Sequence, residues 1–352
     1  MTRPFKNCKK SDALEYLQKF ITHNKARGMT AEAAFDNYVQ TSKGTGTNKI
    51  LDGCWLLSPN IKESSGYLYR YAVFVLPKFF ADHNELQIAI TEKETDRGFQ
   101  ALSTFLSQSG IGVIVSGGIS VDVVNIDKMA WQHFIYRHEK LQKTGENEPF
   151  NKWPRGRGRA SKGNVWQENV LDKFRTMIPE QLTKLTLRQA FFYGHIKKQL
   201  KIPLADPYDV DAFVVSYTGS VMPVEIKEKS PTKKGYFGID AGRILMMLRL
   251  CLATDSNALY IIREVDESTE RKFVQWLFVT LSDMIMGSSW NLQAGGKGMG
   301  GGNTQTIMLS ASLFETFELN NLSEKWLSKH SGLQSSVKSV AKKLSHDLIQ
   351  YL

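Results

Sequence analysis

Cysteine is scarce in this chain: Cys8, Cys54 and Cys251 are the three in 352 residues, far apart and in no CxxC pair. That spacing excludes a zinc ribbon and a disulfide framework, so reduced thiols in a cytosol are the expectation. No apolar run approaches the ~18 residues that a bilayer crossing needs. The opening "MTRPFKNCKKSDALEYL" has no apolar signal-peptide core and reads as the start of a helix. A cytoplasmic protein with no membrane partner is therefore expected. The histidines form no site on sequence grounds: His133 and His138 are five apart and miss the i, i+4 geometry of a helical metal pair. His195, in "FFYGHIKK", reads as structural or as a phosphate contact. The glycine run "AGGKGMGGGN" (294–303) is no phosphate loop, because Lys297 is followed by Gly298 and the next element is a strand.

What is present is ordinary globular material with a charge bias. Hydrophobic residues make up 42 % and charged residues 23 %, which excludes a disordered chain. Lys and Arg number 45 against 35 Asp and Glu, a net +10 that favours a polyanionic partner, with nucleic acid the commonest. The length allows two domains. Residues 1–141 mix helices and strands and are expected to form an N-terminal α+β domain for DNA recognition or regulation. Within it, "SDALEYLQKFI" predicts a helix capped by Ser11, "LYRYAVFVL" and "LQIAI" predict strands, and "RGFQALSTFLSQSG" predicts a helix. Strands "IGVIVSG" and "VDVVNI" follow, and "DKMAWQHFIYRHEKLQ" has helical character.

From 142 to 163 apolar residues nearly vanish in "QKTGENEPFNKWPRGRGRASKG", which reads as a linker and the domain boundary. Its Arg155, Arg157 and Arg159 suit phosphates or a narrow minor groove. Residues 164–352 then run helix "NVWQENVLDKFRTMI", helix "TLRQAFFYGHIKKQL", strand "VDAFVVS", turn "YTG" and strand "VMPVEIK". Helix "DAGRILMMLRLCLA" and strands "ALYIIREV" and "KFVQWLFVTL" come next. The class is α/β, or α+β, with a mixed sheet between helices.

The chemistry sits at "PVEIKEK" (223–229). Side chains alternate along a strand, so Glu225 and Lys227 share one face and Val224 and Ile226 the other. Burial explains the second pair and leaves the first unexplained. If the preceding loop is Tyr217-Thr218-Gly219, with glycine in the left-handed conformation, Ser216 pairs with Ser220 and Asp211 falls opposite Glu225. A two-residue loop would instead put Asp211 on the other face. With the longer loop, two carboxylates and an ammonium cluster together. Asp211, Glu225 and the Ile226 carbonyl suit a hard cation such as Mg²⁺. Lys227 would position water or offset charge on a phosphate in reaction. Asp209 competes with Asp211, since the two share a face. Lys229 alternates onto the face of Lys227, and Lys233 and Lys234 follow closely, so all three are candidate DNA contacts. Asp240 reads as an N-cap. The other acidic-x-Lys triplet, Glu270-Arg271-Lys272, reads as a solvated face.

The order of helix, Asp-bearing strand, Glu-x-Lys strand, helix and strand, with Asp211 in "DVDAFVV" and Glu225 and Lys227 in "PVEIK", resembles the PD-(D/E)xK nuclease superfamily. The resemblance covers roughly residues 164–265, and it departs from the family pattern in that Val210, not proline, precedes the acid. It implies a restriction-endonuclease-like core and a Mg²⁺-dependent, sequence-specific endonuclease of double-stranded DNA, most like a type II restriction enzyme of a restriction-modification pair. The resemblance favours Asp211 over Asp209, because Asp211 leads directly into "AFVV". It also implies a helix glutamate joining the metal, for which Glu168 is the candidate. A palindromic target would imply a homodimer. The alternatives are a transposon-end, junction-resolving or repair nuclease on the same fold, and a non-catalytic DNA-binding protein.

Overall fold

The computed structural model describes residues 7–41, 49–57, 69–120, 126–145, 148–150, 165–202, 207–294 and 305–348. Two helices lead, α1 (Lys10–Phe20) and α2 (His23–Thr41). Strands β1 (Lys49–Leu57) and β2 (Tyr71–Phe80) follow, then helices α3 (His83–Thr95) and α4 (Arg97–Gln108). Next come β3 (Gly112–Ile119), β4 (Ala130–Arg137) and β5 (Lys140–Lys143), and helices α5 (Glu168–Thr176) and α6 (Pro179–Gln189). The last of these continues as a π-helix, Ala190–Gln199. Beyond it lie β6 (Tyr208–Val215), β7 (Val221–Lys229), β8 (Tyr236–Asp240), α7 (Ala241–Thr254), β9 (Leu259–Val265) and β10 (Phe273–Thr280). The chain continues with α8 (Leu281–Gly287), β11 (Leu292–Ala294), β12 (Gln305–Ser310), β13 (Glu315–Thr316), α9 (Glu324–His330) and α10 (Ser335–Asp347).

One mixed sheet of ten strands organises the molecule, in the order β13-β10-β9-β7-β6-β1-β2-β3-β4-β5. A small sheet β11-β12-β8 stands apart from it. Strands β6 and β7 form a hairpin, while β7 and β9 are parallel and joined through β8 and α7, the helical crossover that a parallel pair requires. Helix α2 covers one face of the central strands: its Ala31 and Phe35 pack with Ala212, Val224 and Ile226. Met246 and Leu250 of α7 pack on the other face with Phe213 and Val215. With both faces covered, β6 is buried along its whole length, which is why "YDVDAFVV" reads as an almost unbroken apolar run. Its two aspartates are the exceptions, and a buried carboxylate needs partners.

Several expectations are revised. The segment 142–163 does not divide the sheet, because β1 lies between β2 and β6 in it. Lys143 ends β5, and the buried Phe150 packs on His133 and Phe191 at 5.2 and 6.0 Å, while residues 151–163 lie outside the described residues. "LQIAI" belongs to α3, whose N-cap Asp82 accepts from the Glu85 amide at 2.9 Å while Glu85 accepts from the Ala81 amide at 2.8 Å. That reciprocal cap outweighs the local strand preference. "DKMAWQHFIYRHEKLQ" holds the β4–β5 hairpin; His138 and Glu139 at its turn have φ of 50° and 62°. A turn with both central residues left-handed usually carries Asn-Gly, so His-Glu hid it. Ser11 lies inside α1, whose N-cap is Lys9. "VDVVNI" and the glycine run lie almost wholly outside the described residues. Among the described residues, no helix is long and apolar enough to cross a membrane.

Gly53 and Gly28 give the packing a direct test. A Cβ on Gly53 would stand 1.8 Å from the Val210 carbonyl oxygen and 2.5 Å from that of Asp211, both backbone atoms that cannot swing away. Gly53→Ala is therefore expected to destabilise the protein by about 2–3 kcal/mol or more. Gly28, within α2, has nothing within 4 Å of its added Cβ, and Gly28→Ala should stabilise by up to about 1 kcal/mol. Urea denaturation of the two variants checks both signs.

Candidate active site

The β6–β7 hairpin turns through the longer of the two loops considered. The Ser216 amide donates to the Ser220 carbonyl at 2.9 Å, and Gly219 has φ +86°. Pairing runs Val215–Val221 to Ala212–Val224, and the same register sets Asp211 opposite Glu225. At that point the ladder gives way to a side chain: Asp211 Oδ2 accepts from the Ile226 amide at 2.7 Å. The aspartate thus takes the place of a strand carbonyl, and its position is fixed by the backbone of the Glu-x-Lys strand itself.

Lys227 completes the group. Its Nζ lies 3.1 Å from Asp211 Oδ2 and 2.6 Å from Glu225 Oε1. The Tyr208 hydroxyl donates to Glu225 Oε2 at 3.3 Å. Asp209 is drawn off separately: Arg243, in the first turn of α7, holds its Oδ1 at 2.5 Å and approaches Glu225 Oε1 only to 3.8 Å. Asp240 caps that helix, accepting from the Arg243 amide at 3.2 Å, so the cap sets the arginine's position. The two aspartates thus take different partners, Asp209 pairing with Arg243 and Asp211 with Lys227.

A helix carboxylate does approach this cluster, and it is Glu32 of α2. Glu32, Asp36, Gln181, Lys184 and Asp211 line one small pocket beside Ile226. Arg188 spans the same region: Nη2 donates to the Val210 carbonyl at 2.7 Å, and Nη1 lies 3.5 Å from Glu32 Oε2. Glu168 is elsewhere. It pairs with Arg175 on α5, with 67 % of its side chain exposed. The expectation looked to α5, near β6 in sequence, whereas the chain places α2 against β7 from nearly two hundred residues earlier. The legible signal was the spacing of Glu32 and Asp36, four apart among the alanines of "TAEAAFD" on α2.

The remaining candidates separate clearly. Lys229 donates to the Gly238 carbonyl at 2.5 Å; burial, then Lys227, pulls its pKa down to about 8. Lys233 and Lys234 stand exposed in the β7–β8 connection. Arg155, Arg157 and Arg159 lie outside the described residues. Glu270 and Lys272 pair with each other at 3.1 Å on the exposed β9–β10 turn, as a solvated face does. His133 and His195 meet with Nε2 atoms 3.0 Å apart, wholly buried, and His133 is held neutral by burial and by His195. Two strands of reasoning on sequence spacing missed this pair, since β4 and the π-helix bring the rings together from 62 residues apart.

Burial is the largest influence on proton affinity in the site, and the neighbouring charges act against it or with it. Burial and then the Asp211 charge raise Glu225 to about 7, against the pull of Lys227 and Arg243. Burial and Asp211 likewise raise Glu32 to about 8. Burial opposes the charge on Lys227, but Asp211 and Glu225 outweigh it and hold the ammonium above the ordinary lysine range. Asp211 Oδ1 is buried and has no hydrogen-bond partner among the described residues. Hard oxygen donors, one of them unpartnered, around carboxylates that hold protons too tightly are a fit for a divalent cation. Among the described residues no group of three or more His, Cys, Asp or Glu side chains is placed to hold a metal ion. Mg²⁺ does not require one, since it keeps several waters and takes one or two carboxylates.

Comparison of the chain with family models, with curated proteins and with solved structures finds no match.

The raised carboxylates predict a pH dependence. A carboxyl whose folded pKa exceeds its unfolded value stabilises the protein while protonated, and that stability is lost as pH rises through the folded pKa. Between pH 6.5 and 8.5 the metal-free protein should therefore lose stability, by about 1 kcal/mol through Glu225 and about 2 kcal/mol through Glu32. Glu225→Gln should flatten the profile, and Mg²⁺ should raise the melting temperature more at pH 8.5 than at pH 6.5, because binding displaces protons. Thermal melts across that range test all three statements.

Proposed function

We propose that this chain is a Mg²⁺-dependent endonuclease that cuts double-stranded DNA at a defined sequence, in the manner of type II restriction enzymes. The observation that carries the reading is the meeting of Asp211, Glu225 and Lys227 at the point where β6 and β7 part, with an Asp211 oxygen left without a partner. The order α2, β6, β7, α7, β9 around it supports the PD-(D/E)xK resemblance, with Glu32 in the role first expected of Glu168. The net charge of +10 favours the polyanionic substrate.

Mg²⁺ held by Asp211, Glu225 and the Ile226 carbonyl, with Glu32 across the pocket, would polarise the phosphodiester and acidify a bound water. The protein's own groups do the rest. Lys227, kept charged by its two carboxylates, offers an ammonium to the attacking water or to the charge growing on phosphorus. The Ile226 amide and the Lys227 ammonium aim Asp211 from two directions. Arg243 keeps Asp209 out of the reaction by pairing with it. Tyr208 orients Glu225 through its hydroxyl. A two-fold dimer would place one such site on each strand of a palindromic target.

Incubation of the protein with phage and plasmid DNA, with Mg²⁺ or EDTA, tests the reading. Discrete fragments that require Mg²⁺ are expected. Lys227→Ala should lower the rate by about 100-fold or more, and Glu32→Gln by about 10- to 100-fold, with both variants folded by circular dichroism. Cutting confined to branched or end-specific DNA would shift the reading to a repair or recombination nuclease. Intact DNA under every condition would overturn the enzymatic assignment.

A further inference from the structure

Glu228 follows Lys227 on β7 and points to the opposite face, with 1 % of its side chain exposed. Four cations converge on it. Arg27 Nε and Arg271 Nε lie 3.3 and 2.9 Å from Oε1, and Lys173 Nζ and Arg263 Nη1 each lie 3.0 Å from Oε2. They come from α2, α5, β9 and the turn that follows β9.

One carboxylate neutralises one of these charges and leaves a surplus of three. Cations a few ångströms apart repel, so a purely structural ion pair has no use for the other three. Neighbouring groups register the surplus. Burial lowers the pKa of Arg27, and Arg271 lowers it further; burial, Arg27 and Arg271 together lower that of His23. Burial works to raise Glu228, but Lys173, Arg271 and Arg27 outweigh it, so the anchoring carboxylate stays ionised.

The cluster is also open. The side chains of Arg27, Lys173, Arg263 and Arg271 remain 22, 28, 16 and 19 % exposed above the buried acid. Among the described residues, the guanidinium groups of Arg27 and Arg271 have no acceptor other than Glu228, which each meets through Nε, so the terminal nitrogens make no hydrogen bond there. A cleft of about 180 Å³ adjoins the cluster, with Lys173 and Arg263 in its wall beside Thr30, Asn37 and Gln181. Arg271 itself adopts φ +50°, in a turn that Asp266 ties by accepting from the Ser268 and Lys272 amides at 3.1 and 2.9 Å. A non-glycine residue held left-handed by its surroundings is a cost retained where the side chain must be presented in one direction.

We infer that the Glu228 cluster binds a phosphate group: a buried carboxylate spreads three guanidinium groups and an ammonium into a cup whose outward face is complementary to a tetrahedral dianion or a diester. The cup and Lys227 both lie at the C-terminal end of β7, which stops at Lys229. A polyanion crossing that edge meets both, so the source of the phosphate is the DNA backbone beside the cleaved bond; this assignment of source rests on the nuclease reading, while the cup does not.

Two arms on the full chain separate these statements, using Arg271→Gln/Lys173→Gln and, as the conservative control, Arg271→Lys. In the first, inorganic phosphate is titrated against a chloride control of equal ionic strength and the melting temperature is followed. The unaltered protein should rise above the control, the double variant should not, and Arg271→Lys should recover part of the rise. In the second, binding to a short duplex is measured in EDTA over a range of NaCl. The double variant should bind about tenfold more weakly, with a salt slope shallower by about 1 or more. A response in both arms supports a backbone-phosphate site. A response to inorganic phosphate alone keeps the cup and overturns its DNA assignment. No difference between the proteins in either arm overturns the proposal. Loss of Mg²⁺-dependent cleavage in the unaltered protein, with both arms positive, would overturn the nuclease reading and leave the cup standing.

Discussion

The constraint from which the rest follows is the burial of two carboxylates in the middle of a ten-strand sheet. Strand β6 is covered on both faces, yet it carries Asp209 and Asp211. An ionised carboxylate in such a place costs several kcal/mol unless it is paired and hydrogen-bonded. The fold answers with a separate partner for each. Arg243, positioned by the capped start of α7, takes Asp209. The Ile226 amide and Lys227 take Asp211. Neither solution is available without the β6–β7 register and the crossover that brings α7 back over the sheet.

The opposite face of β7 poses the same problem of a buried carboxylate. At Glu225 burial, and then the Asp211 charge, raises proton affinity. At Glu228, one residue past Lys227, cations outnumber the carboxylate four to one. Buried carboxylates on one side of a strand end and a surplus of positive charge on the other suit a cation and a phosphate held next to each other. Arg188 ties α6 to β1 and β6, because its guanidinium lies 5.3 Å from the Trp55 ring while donating to the strand carbonyl just before Asp211.

Much of the local geometry could be read directly. Gly219 in "YTGS" set the hairpin loop, and the loop set which face Asp211 shares with Glu225. Asp240 before "AGRILMMLRL" signalled the cap of α7. These succeed because turns and caps are decided by residues a few positions apart. The misses have one cause in common. "LQIAI" and "AWQHFIYR" contain β-branched and aromatic residues that suit either element, and the deciding contacts were a cap at Asp82 and a turn at His138-Glu139. Glu228 and the His133–His195 pair had no local mark of function at all.

What the sequence by itself determined is the chemistry of one strand pair: an alternating strand carries Glu225 and Lys227 on one face, and a short loop with glycine aligns Asp211 against them. Those are short-range consequences of period two and of turn stereochemistry. Only the tertiary structure decided that β1 belongs beside β6, that α2 supplies the helix carboxylate, and that Arg27, Lys173, Arg263 and Arg271 meet over Glu228. Those contacts join residues 35 to 201 positions apart. They depend on which apolar faces cover the sheet, a choice made by the burial of the whole chain and written in no single segment of it.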